Sequence, residues 1–163
     1  MQFLDRVSKF LNLVLVWIAG CFLVAMVLLT CSNIFLRIVW VPIMGTFELM
    51  GFFSAIVTAF ALGYTQIRKG HVEVDIVAQR FSKKTKNILN VVNSFICMSF
   101  FAFVTWQIAK YGTTLWETGE MSETLRIIYY PFTYAVAFGC AALSLVFMVD
   151  MLKSLFPEKE TEK

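Results

Sequence analysis

Four stretches of the chain carry no charged side chain: Phe10 to Leu36, Leu49 to Ile67, Asn87 to Ala109, and Ile127 to Val149. Each is near the 20 or so residues that a helix needs to cross the hydrocarbon core of a bilayer. Their apolar residues lie all round the helix, whereas a helix of a soluble domain shows one apolar stripe. Lipid offers no partner to an unpaired N–H or C=O, so such runs must be helical. The first would be roughly 40 Å long, so it tilts or extends into a headgroup layer. The pattern predicts spans at about 10–36, 47–68, 87–110 and 128–152, in a single membrane domain over residues 1–163.

Between the second and third spans the pattern changes. "IRKGHVEVDIVAQRFSKKTK", Ile67 to Lys86, holds six basic residues and His71, the sole histidine. Gly70 follows Arg68 and Lys69, cations then a residue that accepts a left-handed backbone, which predicts the end of the second span. From Val74 the apolar residues Val74, Val77, Ala78 and Phe81 fall at i, i+3, i+4 and i+7. Arg80, Lys83, Lys84 and Lys86 take much of the remaining surface, and Asp75 sits at the start where a carboxylate meets the positive end of the dipole. A short amphipathic helix over about 74–86, lying in a headgroup layer, is expected. The loop either fixes topology and touches anionic lipid or also docks a partner.

Composition agrees with a lipid environment, with 59% hydrophobic and 15% charged residues. With the N-terminus inside, eleven of the fourteen Lys and Arg residues fall on the inner side, leaving Arg37, Lys110 and Arg126 outside. Trp40, Trp106, Tyr111, Trp116, Tyr129 and Tyr130 then lie near the outer span ends, where amphipathic rings settle. The expected fold is an all-α integral membrane protein: four transmembrane helices plus a short in-plane amphipathic helix on the cytoplasmic side, both termini cytoplasmic. "IAGC", Ile18 to Cys21, has the form of a lipoprotein cleavage site, but apolar residues continue for fifteen positions beyond it. An uncleaved first span is the reading that follows.

Little in the chain suggests chemistry. Cys21, Cys31, Cys97 and Cys140 lie within spans with no paired spacing and read as packing residues. A haem between helices typically takes two histidines, and His71 reads instead as an interfacial hydrogen-bonding residue. There is no phosphate-binding glycine loop and no nucleophile and base pair, so no enzyme activity, cofactor, metal or nucleic-acid binding is expected.

The faces of the spans say more. Gly51, Ala55, Ala59 and Gly63 repeat every four residues down the second span, and Ala135, Gly139 and Ala142 give the fourth a similar face. Small side chains let another helix approach closely, whether of this chain or of a partner protein. Two such faces predict a partner interface at Gly51, Ala55, Ala59, Gly63, Ala135 and Gly139. Arg37 ends the first span and Glu48 opens the second across one outer hairpin, which predicts a structural ion pair. The rival for Glu48 is a proton or substrate carboxylate in a self-sufficient small homo-oligomeric transporter or channel. A solute pathway normally carries a denser set of ionisable residues than these spans hold. A membrane anchor for a redox enzyme and an assembly protein for an unrelated complex are further alternatives.

Arg37, Glu48 opening the second span, Gly63, "GHVEVD" at Gly70 to Asp75 and "GEMSETLRI" at Gly119 to Ile127 resemble, in order and spacing, the small membrane subunit of tripartite ATP-independent periplasmic (TRAP) transporters. The resemblance covers nearly the whole chain. One departure is Ile128, where the family often has proline; here Pro131 follows three residues later. The resemblance implies a bacterial or archaeal inner-membrane location and two protein partners. These are a large membrane subunit that moves an organic acid with a cation gradient, usually sodium, and a periplasmic binding protein that delivers it. In that setting the small subunit is expected to be a non-catalytic scaffold that anchors the moving subunit, with membrane lipids around it.

Overall fold

The computed structural model describes residues 2–68 and 83–155. Four helices account for most of them: α1 (Gln2–Val39), α2 (Thr46–Ile67), α3 (Lys83–Thr118) and α4 (Tyr130–Leu155). All four are long and apolar enough to cross a membrane. The expected all-helical membrane architecture with four spans is therefore what the chain forms.

Two helices exceed their expected lengths. With 38 and 36 residues, α1 and α3 are about 57 Å and 54 Å long, well beyond a hydrocarbon core of about 30 Å. α1 begins in its polar head, where Asp5 meets the positive dipole end, and Arg37 lies in its last turn. It stops before Pro42, which disfavours helical backbone at the residue preceding it. α3 has no proline from Lys83 to Thr118 and continues past Lys110, because its C-terminal end packs on the start of α4. Trp116 stacks on Tyr130 with ring centroids 5.5 Å apart, and Gly112 sits beneath the Tyr134 ring.

The expected in-plane helix over 74–86 needs a correction at its end. Lys83 and Lys84 belong to the head of α3, with no helix break before the third span. His71, Asp75, Arg80 and Phe81 lie outside the described residues, as does Gly70. Pro131 falls in the first turn of α4, where its missing N–H needs no partner.

The helices do not close into a square bundle. α1 packs on α2, α2 on α4, and α4 on α3, while α1 touches α4 more lightly and α3 has its substantial packing on α4 alone. The result is an open array in the order α1, α2, α4, α3. Burial within the chain follows that order: 44% of the spanning window of α4 is buried, against 6% of that of α3. The core lies where α1, α2 and α4 meet, built from Leu15, Ala19, Ile56, Ala59, Phe60 and Ala142. Phe52 stacks on Phe132 above it, centroids 4.4 Å apart. Ser144 Oγ donates to the Met98 carbonyl (3.3 Å) and Asn87 Nδ2 to the Ser154 carbonyl (2.8 Å), tying α3 to α4 at two depths.

Candidate functional site

Two features organise the molecule: a clamp at the end opposite the described N- and C-terminal residues, and the faces of α2. The clamp begins with the α1–α2 hairpin. Asn33 Oδ1 accepts from the Ile43 N–H (2.8 Å) and Thr46 Oγ1 donates to the Ile43 carbonyl (2.8 Å), which pins the turn to α1. Gly45 caps α2 with φ +74°, a left-handed backbone that suits glycine. Glu48 then projects from the first turn of α2, where the helix dipole favours a negative charge.

Its partners are in "GEMSETLRI". Gly119, with φ +65°, ends α3, its N–H donating to the Leu115 carbonyl (3.1 Å). The chain turns back on itself: the Ser122 N–H donates to the Ile127 carbonyl (2.8 Å), the Arg126 N–H to the Ser122 carbonyl (3.1 Å), and Met121 bridges Ile128 antiparallel. This small hairpin aims its donors at Glu48. The Ser122 hydroxyl donates to Oε2, the Thr124 N–H to Oε1 (2.8 Å), and the Leu125 N–H to Oε2 (3.1 Å). Ser122 is buried, and the Leu125 side chain packs over Gly45. Bonds to an ionised acceptor are the strong ones, so one carboxylate joins the head of α2 to the α3–α4 connection.

The expected Arg37–Glu48 ion pair is therefore corrected. Arg37 is exposed and pairs with no carboxylate among the described residues, because the loop donors take the Glu48 oxygens instead. Sequence reasoning quoted the loop but missed Ser122, Thr124 and Leu125 as partners. Two of the three bonds come from backbone N–H groups, which leave no trace in side-chain identity.

A Cβ at Gly45 would lie 2.7 and 2.9 Å from the two Leu125 methyl carbons, and an L side chain is strained at φ +74° in any case. Gly45→Ala is expected to cost about 1–3 kcal/mol. A thermal shift of the purified chain would measure it, and an unchanged melting temperature would count against the clamp.

The small-residue ridge divides into two halves. Ala59 and Gly139 are buried against each other, and Gly63 is buried against the amide of Asn12. Ala135 packs against the core. These four of the expected partner-interface residues are thus engaged within the chain, where α2 needs close approach to α1 and α4. Gly51 and Ala55 are exposed, and a Cβ added to Gly51 would meet nothing within 4 Å. Ala55 borders a shallow groove of about 280 Å³ whose walls include Phe52, Ile108, Phe132 and Val136, open because α2 and α3 do not pack together.

Among the described residues no three His, Cys, Asp or Glu side chains come together to hold a metal ion. Cys21, Cys31, Cys97 and Cys140 are all free thiols.

A family model described as "Tripartite ATP-independent periplasmic transporters, DctQ component" matches residues 26–156, from the middle of α1 through α4. No curated protein and no solved structure matches the chain.

Proposed function

The chain belongs to the DctQ family of tripartite ATP-independent periplasmic transporters, and on that premise we propose that this small membrane subunit works as a scaffold. It holds the large, moving membrane subunit in place during cation-coupled uptake of an organic acid that a periplasmic binding protein delivers. Both termini face the cytoplasm in this reading. Arg6, Lys9, Arg68, Lys83, Lys84, Lys86 and Lys153 at one end of the array, against only Arg37, Lys110 and Arg126 toward the other among the described residues, support that orientation.

The observation that carries the reading is the open half of the α2 ridge. A helix facing lipid usually presents large apolar side chains, as α1 does with Trp17, Val24 and Leu28 and α3 does with Phe95, Phe100 and Phe103. At Gly51, Ser54, Ala55 and Thr58, α2 exposes only small side chains. Between membrane helices such a face favours close helix contact. The open array supports the same reading: if one subunit must slide across the bilayer, another must resist sliding, and long helices joined side by side offer a wide, rigid flank.

A self-sufficient transporter gains no support from Glu48. Its carboxylate is taken up by three loop donors at a helix end.

Co-purification tests the scaffold. Tagged chain drawn from native membranes in mild detergent is expected to bring the large subunit in stoichiometric amount. Gly51→Leu and Ala55→Leu fill open space, so the isolated chain should fold normally while recovery of the large subunit falls by about tenfold or more. Unchanged recovery with both variants would remove this face from the interface. Recovery of the chain only with copies of itself would sink the scaffold.

A further inference from the structure

Near the first described residues, α1 and α2 leave a cleft of about 410 Å³ between them. Lys9 and Leu13 line it from α1, and Tyr64, Ile67 and Arg68 line it from α2. α1 runs inward from this end and α2 runs back toward it, so Leu13 lies about one turn deeper than Lys9, and Tyr64 about one turn deeper than Arg68. The walls therefore change from charged to apolar with depth. Charged groups are costly in the hydrocarbon core, which sets Lys9 and Arg68 at headgroup level.

The polar groups are arranged to receive an acceptor. Arg68 Nε donates to the Tyr64 hydroxyl oxygen (3.1 Å), and its guanidinium carbon lies 5.4 Å from the centre of the Tyr64 ring. That bond occupies a lone pair of the phenol and leaves the O–H proton to donate elsewhere. The guanidinium itself pairs with no carboxylate among the described residues. Lys9 gives Asp5 one of its three N–H groups (2.8 Å), and Asp5 divides its charge between Lys9 and Lys153. Even with Asp150 counted beside Asp5, the cations Lys9, Lys153 and Arg68 outnumber the aspartates here.

We propose that this cleft holds one anionic phospholipid, with its phosphate on Arg68, Lys9 and the Tyr64 hydroxyl and its glycerol and acyl region along Leu13 and the Tyr64 ring. Basic pockets between membrane helices suit anionic headgroups, and the excess of positive charge favours such a lipid over a zwitterionic one. The apolar depth of the cleft favours a lipid over a free anion, because inorganic phosphate covers none of that surface. On α2, Tyr64 and Arg68 lie about a quarter turn or more round the helix from Gly51 and Ala55. The cleft is thus apart from the face assigned to the large subunit, and the inference does not rest on the scaffold reading.

The test is native mass spectrometry of the purified full chain in mixed micelles of phosphatidylglycerol and phosphatidylcholine, which share a phosphate and differ in net charge. One phosphatidylglycerol per chain is expected, retained over phosphatidylcholine by about fivefold or more. Arg68→Gln should lose most of that preference and Tyr64→Phe part of it. Arg68 is exposed at the C-terminal cap of α2, so helix content by circular dichroism should not change. Arg6→Gln removes one charge from the same end but outside the cleft, and should keep the preference. A loss with Arg6→Gln as large as that with Arg68→Gln would reduce the effect to diffuse charge and overturn the site. Equal retention of both lipids by the unaltered chain would overturn it without recourse to any variant. Displacement of the lipid by millimolar inorganic phosphate would make free phosphate the ligand and overturn it as well.

Discussion

Replacing Glu48 with alanine is expected to release the connection between α3 and α4 while leaving the four spans in place. The carboxylate accepts from the Ser122 hydroxyl and from the Thr124 and Leu125 N–H groups, and no other side chain could take over all three. Deprived of it, these donors turn to water and residues 119–129 lose their tie to α2. Amide exchange at Thr124 and Leu125 should accelerate by about tenfold or more. Arg126 should become a trypsin site, because a protease needs a loop it can draw out. Glu48→Gln keeps the shape but turns an N–H₂ toward a donor, so its effect should lie near that of alanine. Arg37→Ala is the control: exposed and outside the clamp, it should leave exchange in this loop unchanged. A response to Arg37→Ala as large as that to Glu48→Ala would restore the ion pair as the organising contact. If the clamp also presents the outer surface to the periplasmic protein, uptake by the complete transporter should fall with Glu48→Ala although the large subunit still co-purifies.

Gly139→Ala should cost stability at the centre of the array through a single added carbon. A Cβ there would lie 2.8 Å from the Ala59 carbonyl oxygen and 2.9 Å from its carbonyl carbon. Neither atom is the end of a flexible side chain, so α2 and α4 must move apart. They form the centre of the array, and separating them loosens the core of Leu15, Ile56, Phe60 and Ala142. Overpacking of this kind costs about 1–3 kcal/mol. The same change at Gly51, where nothing lies within 4 Å, should stay within about 0.5 kcal/mol. Melting temperatures of the two purified variants, side by side, test the division of the small-residue ridge. Equal shifts would mean that both halves are packed alike.

The contrast between these two glycines marks the limit of what one-dimensional pattern conveys. Gly51 and Gly63 belong to one row of small residues spaced by four, a row that winds about 120° round the helix over their separation, so the row passes from one neighbour to another. Only the position of α1, which brings Asn12 against Gly63 and leaves Gly51 clear, distinguishes them. The lengths of α1 and α3 were likewise hidden. Charge ends a hydrophobic window, yet a helix continues until its backbone is interrupted, and α3 meets no interruption before Gly119.

The sequence by itself determined the number of spans, their approximate places and the family, because hydropathy and motif order are sums over residues taken singly. A stretch such as Leu49 to Ile67 must be a buried or lipid-facing helix in any environment that spares its backbone from water. The tertiary structure decided the rest: the open order α1, α2, α4, α3, the division of the α2 ridge, and the choice of loop donors over Arg37 for Glu48. These depend on which surfaces meet. In a lipid solvent apolar side chains gain little by facing one another, so close approach at small residues and a few directed hydrogen bonds set the arrangement.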